Sequence, residues 1–444
     1  LSAGQTKRNV VFYSLYVPMN KNFSPFVFVC LIMGAVLLGG NHAAGSTGSA
    51  TWEHVADSIL GFSNDTIFKD NGDTVVKHYY MTRMRKNGDT VVKKNNLFRK
   101  FYTYFRTANE DKTQVKNFDF SIIGGPHYSS TVKLGLGIVA AGLYRVDKND
   151  LSIPPSNVSF FGDVTTTGFY LLGVRGNTLF KSGKYRLDFN TYFFSFPSAF
   201  WGIGYDSATY GKAGAYKRLQ NQVKVDFMIR VADDFYVGAN ASFNYIEGKN
   251  FTNIEQLRGE DPLNINTGVG VFVMYDSRDF ITNAYRGIYF KAEQRFFPSF
   301  MGNRETFYRT EIQWNAYHPL WKGAVMAYDV HGMFNYGNPP WTMLALMGGS
   351  SRMRGYYEGR YRDNNLIEAQ VELRQKVYGR NGIVIWGGAG NVFPSFSKIN
   401  GAHTLPNYGI GYRWEFKKRV NVRLDYGFGL KGQKSFMFGI NEAF

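Results

Sequence analysis

Met347-Gly348-Gly349-Ser350-Ser351-Arg352-Met353-Arg354-Gly355-Tyr356-Tyr357-Glu358-Gly359-Arg360-Tyr361-Arg362-Asp363 is the stretch on which the reading of this chain turns. It lies between two alternating runs and carries four arginines, with little apolar content beyond aromatics and methionines. A solvated surface loop has such a composition. So has a loop folded back into a polar cavity, where guanidinium groups meet carboxylates on the wall, because a buried guanidinium has to be paired. What flanks the stretch decides between the two.

The flanks alternate from about Asn117 onward. Gln222, Lys224, Asp226, Met228 and Arg230 oppose Val223, Val225, Phe227, Ile229 and Val231. Asn407, Gly409, Gly411, Arg413 and Glu415 oppose Tyr408, Ile410, Tyr412, Trp414 and Phe416. Period-two alternation is the signature of strands with one apolar face. A soluble sandwich alternates too, but its apolar side is a packed aliphatic interior. Here charges of both signs share the polar parity with glycines, and the apolar parity is rich in aromatics, as expected of a polar lumen and a lipid-facing wall. The runs predict strands near 117–124, 131–145, 156–165, 168–180, 184–196, 216–231, 234–248, 265–277, 285–297, 305–318 and 322–336. After the stretch come 364–378, 381–393, 404–417, 419–430 and 434–444. The expected fold is an all-β membrane protein, a 16-stranded antiparallel transmembrane β-barrel over 117–444 with an inserted loop at about 338–363.

Composition agrees with that class. Of 444 residues 17% are aromatic, 49 are Gly and only 44% are hydrophobic, poor material for helical spans. A net charge of +17 without a nucleic-acid motif points to anionic lipid or lipopolysaccharide, not to nucleic acid. The single cysteine, Cys30, sits in the apolar run Phe26–Leu38, which is too short to span a bilayer as a helix. With Met19 and Lys21 before it and His42-Ala43-Ala44-Gly45-Ser46 after it, residues 19–45 read as a signal peptide and 1–18 as an upstream extension. Removal of that leader leaves no cysteine for a disulfide or a thiolate metal site. Residues 46–116 form a separate periplasmic segment, with short helices expected at Trp52–Phe62 and Asn95–Thr107. Between them Asn71-Gly72-Asp73-Thr74-Val75-Val76-Lys77 repeats as Asn87-Gly88-Asp89-Thr90-Val91-Val92-Lys93, and each Asn-Gly predicts a hairpin-like turn.

Met353-Arg354-Gly355-Tyr356 resembles the V/I/M-R-G-F/Y signature of the BamA/TamA superfamily, the bacterial surface-antigen family of outer-membrane barrels. Three further stretches are similar to that family: Asp276-Ser277-Arg278-Asp279 with Arg286-Gly287, Glu372-Leu373-Arg374, and the terminal Phe438-Gly439-Ile440-Asn441-Glu442-Ala443-Phe444. The resemblance implies that the loop runs inside the barrel and that its arginine pairs with an aspartate of an F-x-D-x-G strand. Here that strand has Trp386, Gly388 and Gly390, so the carboxylate is absent, and Glu368 or Glu372 is expected to replace it as the partner of Arg354. The resemblance also implies a weak lateral seam between first and last strands, here Phe118, Phe120 and Ile122 against Phe436, Phe438, Gly439 and Phe444. The first strand is expected to be short, broken at Gly124-Gly125-Pro126. The family's assembly proteins carry β-α-α-β-β POTRA domains. Residues 46–116 do not fit that pattern, so a POTRA-less relative is expected.

Three functional classes follow. The first is insertion or translocation of protein or lipid through the seam of a bacterial outer-membrane barrel, with a client outer-membrane protein or a periplasmic or lipoprotein partner. The second is a structural or scaffold barrel of an outer-membrane complex with a loop-plugged lumen. An enzyme is not expected: no histidine stands near a Ser and an acid at a recognisable spacing, and Gly348-Gly349-Ser350-Ser351 is not a G-x-S-x-G elbow. Neither cofactor nor metal is expected, since no carboxylate cluster has Ca²⁺-loop spacing. A passive pore would be occluded by the loop.

Overall fold

Alternation along the chain becomes alternation across a sheet. The computed structural model describes residues 63–68, 74–79, 82–84, 90–92, 118–129, 133–147, 155–180, 183–417 and 419–444. The chain divides into two units, Leu1–Asn96 and Leu97–Phe444. In the first, β1 (Ser63–Phe68) pairs with β2 (Thr74–Tyr79), and β3 (Thr82–Met84) with β4 (Thr90–Val92). In sequence the two Asn-Gly pairs lie between the paired strands, outside the described residues. The expected leader, the upstream extension and both short helices lie outside the described residues.

The second unit opens with β5 (Phe118–Ser129), β6 (Lys133–Tyr144), β7 (Ser156–Thr165), β8 (Tyr170–Phe180), β9 (Tyr185–Phe200) and β10 (Gly214–Ala232). It continues with β11 (Phe235–Lys249), β12 (Leu263–Asp276), β13 (Gly287–Phe297), β14 (Phe307–Pro319) and β15 (Ala324–Gly337). Then come β16 (Ala345–Leu346), β17 (Arg362–Asp363), β18 (Asn365–Tyr378), β19 (Asn381–Phe393), β20 (Leu405–Lys417), β21 (Val420–Gly429) and β22 (Lys434–Ile440). All these strands pair antiparallel. Sixteen form one sheet in chain order from β5 to β22, with β15 pairing to β18 across the inserted loop. The remaining two, β16 and β17, pair with each other inside that loop. Among the described residues one six-residue α-helix, α1 (Tyr205–Tyr210), follows β9. Among the described residues no helix is long and apolar enough to cross a membrane.

The polar face of the sheet is buried and the apolar face exposed. On β10 Asp226 and Met228 are covered while Val223, Phe227, Ile229 and Val231 are open. On β20 Asn407 and Arg413 are covered while Tyr408 and Ile410 are 62% and 54% exposed. A water-soluble sandwich shows the reverse. Such inversion fits strands whose outer surface meets hydrocarbon. The 338–363 loop lies against the polar face and touches β9 through Ala199 and β21 through Arg423, so the sheet curls around it.

Two sequence expectations fail at the ends of the sheet. The first strand does not break at Gly124-Gly125-Pro126. β5 is ladder-paired to β6 from Phe118↔Tyr144 to Ser129↔Lys133. Pro126 is tolerated because β5 ends the pairing order, and an edge strand does not need the amide hydrogen that proline lacks. The last strand does not run to Phe444. It stops at Ile440, and Asn441 takes a left-handed φ of 70° that turns the tail away from the ladder.

Candidate functional site

The loop is built inward from its first residues. Trp341 is buried among Phe200, Tyr216 and Phe251, and its backbone amide and indole Nε1 donate to Glu260 Oε2 (2.7 Å) and the Asp261 carbonyl (3.0 Å). Arg309 on β14 donates to the Met343 carbonyl and, at 2.9 Å, to Asn335 Oδ1. Beyond the β16–β17 ribbon the chain closes on itself, with the Met347 amide donating to the Tyr361 carbonyl and Gly359 to Met347, both at 2.9 Å.

The arginines then find distinct partners. Arg352 makes a two-pronged pair with Asp329 on β15, at 2.8 and 3.1 Å. Arg354 has no solvent exposure. It donates to Glu372 on β18 and, at 2.8 Å, to Asp425 on β21, with its guanidinium 3.7 Å from the Trp386 ring centroid. Arg360 donates to the Ala208 carbonyl at 3.1 Å, and Arg362 to that of Gly359 at 2.8 Å while lying over Phe200.

Around Arg354 the charges interlock. Glu372 also receives Arg374 at 2.8 Å, Asp425 receives Arg413 at 2.5 Å and Arg423 at 3.4 Å, and Glu442 receives Arg413 at 2.7 Å. Four guanidiniums, those of Arg354, Arg374, Arg413 and Arg423, thus share three buried carboxylates. Each charge has an opposite one in contact, the condition under which buried ions persist.

Backbone packs as closely as charge. Gly355 has φ 119°, and a Cβ there would stand 2.7–2.9 Å from backbone atoms of Gly427 and Phe428. A Cβ on Gly427 would in turn meet the Arg354 carbonyl at 2.5 Å. The loop backbone lies directly on the β21 backbone, a fit that two glycines permit. Met353, also at positive φ (44°), is buried with Met347 beside Gly390. The Tyr356 hydroxyl donates to the Pro406 carbonyl at 2.6 Å and accepts from the Leu430 amide at 2.9 Å. Burial pushes its phenol up to about 12, so it stays neutral at ordinary pH.

The site expected from sequence is rearranged in several places. Glu372 meets Arg354, but Glu368 does not. It stands directly across the ladder from His331, and its carboxylate takes that ring's Nδ1 at 2.9 Å. Asp425 is a second partner of Arg354 that neither the local pattern nor the resemblance indicated. At the position of the absent carboxylate, Gly388 packs beside Asn407 and Gln370, whose side-chain amides donate to the Arg354 and Ser351 carbonyls. Trp386 supplies a ring face to the arginine in place of a charge.

At the ends of the sheet Phe118, Ile122 and Phe438 are exposed, Phe436 is half-buried and Gly439 sits opposite Arg423. The Phe120 side chain lies outside what the structure describes. Phe444 is a correction. Its carbonyl accepts from Arg374 at 2.9 Å and its ring packs beside Tyr317, Val325 and Ala327, well inside the polar face, because Glu442 is drawn in by Arg413 and Asn421.

The Asp276–Arg286 turn closes on the same region. Arg419 donates to Asp279 Oδ2 (2.8 Å) and the Asn283 carbonyl (2.9 Å), and stacks 3.4 Å from the Tyr285 ring centroid. Partial burial pushes the Asp279 carboxyl up. The Tyr285 and Arg286 amides and the Arg419 guanidinium outweigh this and hold it below the usual carboxylate range.

Between the loop and β10–β14 a cavity of about 310 Å³ remains, lined among others by Arg218, Lys224, Arg309, Glu311 and Glu358. Among the described residues no group of three His, Cys, Asp or Glu is placed to hold a metal ion.

An antiparallel sheet with a polar interior, an apolar exterior and an arginine loop locked inside defines the class of outer-membrane β-proteins. The family model described as the Omp85 superfamily domain matches residues 169–444, and the chain belongs to the Omp85 superfamily. Membership places it in the bacterial outer membrane, as a barrel of the assembly and translocation type. Among solved structures it is similar to BamA from Haemophilus ducreyi lacking POTRA domains 1-3, at 13% identity over 92% of this chain and 81% of that one, with a TM-score of 0.49. It is also similar to CdiB from Acinetobacter baumannii, at 11% identity over 96% and 88%, with a TM-score of 0.47. No curated protein sequence matches the chain.

Proposed function

We propose that β5 and β22 close the sheet into a 16-stranded barrel, and that their junction is a lateral seam through which protein or lipid is inserted or translocated. The observation that carries this reading is an imbalance between the two strands. They lie within 8 Å of each other, yet neither is hydrogen-bonded to the other in the sheet order. β5 has 12 residues and β22 has 7, so the shorter strand limits the bonds the junction can form, whereas interior strands reach 19. An edge with few ladder bonds is the cheapest place for a sheet to open. The client is an outer-membrane protein or lipid, delivered by a periplasmic or lipoprotein partner.

Paired cysteines replacing Phe118 or Ile122 on β5 and Phe436 or Phe438 on β22, in a Cys30→Ser background, test this. Oxidation in cells is expected to slow growth and change outer-membrane composition, reversibly with reductant. Locked pairs that form without any such effect reject the gate.

The buried Arg354 cluster favours a second reading, a scaffold barrel with a permanently plugged lumen. Under it the locked seam is silent, and mild-detergent extraction recovers a stoichiometric partner.

A further inference from the structure

The short-turn end of the sheet carries exposed charges of both signs. The connections at this end include 233–234, 320–323 and 379–380, whereas those at the other end include 201–213, 250–262 and 394–404. In outer-membrane barrels the short turns face the periplasm, and hence the phospholipid leaflet. The β10–β11 turn carries exposed Asp233 and Asp234, with exposed Arg230 and Lys184 close by on β10 and just before β9. The β14–β15 turn carries exposed Leu320, Trp321 and Lys322, and the adjoining end of β18 and its turn carry exposed Val377, Tyr378 and Arg380.

Those two turns form one fixed surface. Lys376 donates its backbone amide to the Gly323 carbonyl at 2.7 Å, and Trp321 Nε1 donates to Gln375 Oε1 at 2.7 Å. Glu415 on β20 occupies Lys376 at 2.7 Å, and its backbone amide holds the Arg380 carbonyl at 2.7 Å. Trp321 and Tyr378 remain 59% and 75% exposed even so. The surface continues the apolar stripe of Val330, Tyr328, Ile367 and Val371 along the lipid-facing side. Exposed Trp and Tyr at the end of such a stripe, beside cations, are the side chains suited to the headgroup level.

We propose that the β14–β15 and β18–β19 turns form a docking surface for an anionic phospholipid of the periplasmic leaflet. Trp321 and Tyr378 sit at the hydrocarbon boundary and Lys322 and Arg380 face the phosphate. Hydrogen bonds between the two turns hold the surface in one geometry, so the lipid is held at a fixed place on the rim. The inference stands whether or not the seam opens.

The test uses the full chain reconstituted in phosphatidylethanolamine vesicles with and without phosphatidylglycerol, then extracted gently for native mass spectrometry. Wild type is expected to retain phosphatidylglycerol in excess over its share of the vesicle. Lys322→Gln with Arg380→Gln is expected to lower that excess by about fivefold for each charge removed. Arg304→Gln with Lys212→Gln, exposed on the opposite end, is expected to leave it unchanged. Heat-modified gel mobility confirms that each variant is folded, and Lys322→Gln alone, in an exposed turn, provides a milder second variant. Equal retention by wild type and the Lys322/Arg380 variant overturns the proposal. So does displacement of the lipid by free glycerol phosphate at matched concentration, which removes the aromatic boundary from the account. A periplasmic protein that captures wild type and not the variant, with lipid retention unaltered, overturns it in favour of a protein partner.

Discussion

Arg354 has no contact with water, and its charge is divided between Glu372 and Asp425. Because four guanidiniums share three carboxylates, the variants differ in direction. Glu372→Gln leaves four cations on two acids and is expected to destabilise the folded barrel by about 3–5 kcal/mol, read as a lower denaturant midpoint of the heat-modifiable form. Arg354→Ala instead balances the cluster, so its effect should fall on the loop, with trypsin gaining access at Arg352 and Arg360 while the barrel keeps its folded mobility. Glu368→Gln, which touches His331 and not the loop arginine, is expected to leave loop protection unchanged. Gly355→Ala and Gly427→Ala each insert a methyl between two touching backbones. Each should cost about 1–3 kcal/mol and expose the same tryptic sites. The sequence showed that an arginine here needed acids and offered Glu368 or Glu372, of which the structure uses Glu372. It could not show Asp425, because no local pattern reports what lies across the interior of a curled sheet.

At the scale of elements, the Asp276–Arg286 turn is fastened to the β20–β21 turn through Asp279 and Arg419. The folded-state pKa of Asp279 is depressed. Its contribution is therefore present above the unfolded carboxylate value, about 3.9, and is lost as pH falls through the lower folded value. Wild type and Asp279→Asn should differ by the same amount from pH 8 to 6 and converge in strongly acidic solution, measured as the pH dependence of the unfolding midpoint. A difference that grows on acidification would contradict the pairing. The strands themselves were legible, since each alternates over ten residues or more in most of the sheet. The ends were not. Pro126 reads as a breaker, and only its place on the edge of the sheet removes the penalty. Phe438–Phe444 reads as one strand, and only the pull of Arg413 on Glu442 and the left-handed Asn441 show where it leaves the ladder.

For the molecule as a whole, the exposed apolar face predicts that a larger polar side chain is tolerated inside and a charge rejected outside. Ile410→Arg, mid-strand on the lipid side of β20, should cost about 2–4 kcal/mol in membrane folding. Ser242→Gln, which points into the 310 Å³ cavity, should fold as wild type. Vesicle-folding yields resolve the two, and a harmless Ile410→Arg would place that face in water.

The sequence by itself determined the strand class, the inversion of polarity between the two faces and the place of the inserted loop. Those are local and periodic properties, written in neighbouring residues. Tertiary structure decided the carboxylates that receive each arginine, the pairing of Gly355 with Gly427 and the inward turn of the last four residues. These depend on which strands a curled sheet brings face to face across its interior, a distance that no repeat along the chain encodes.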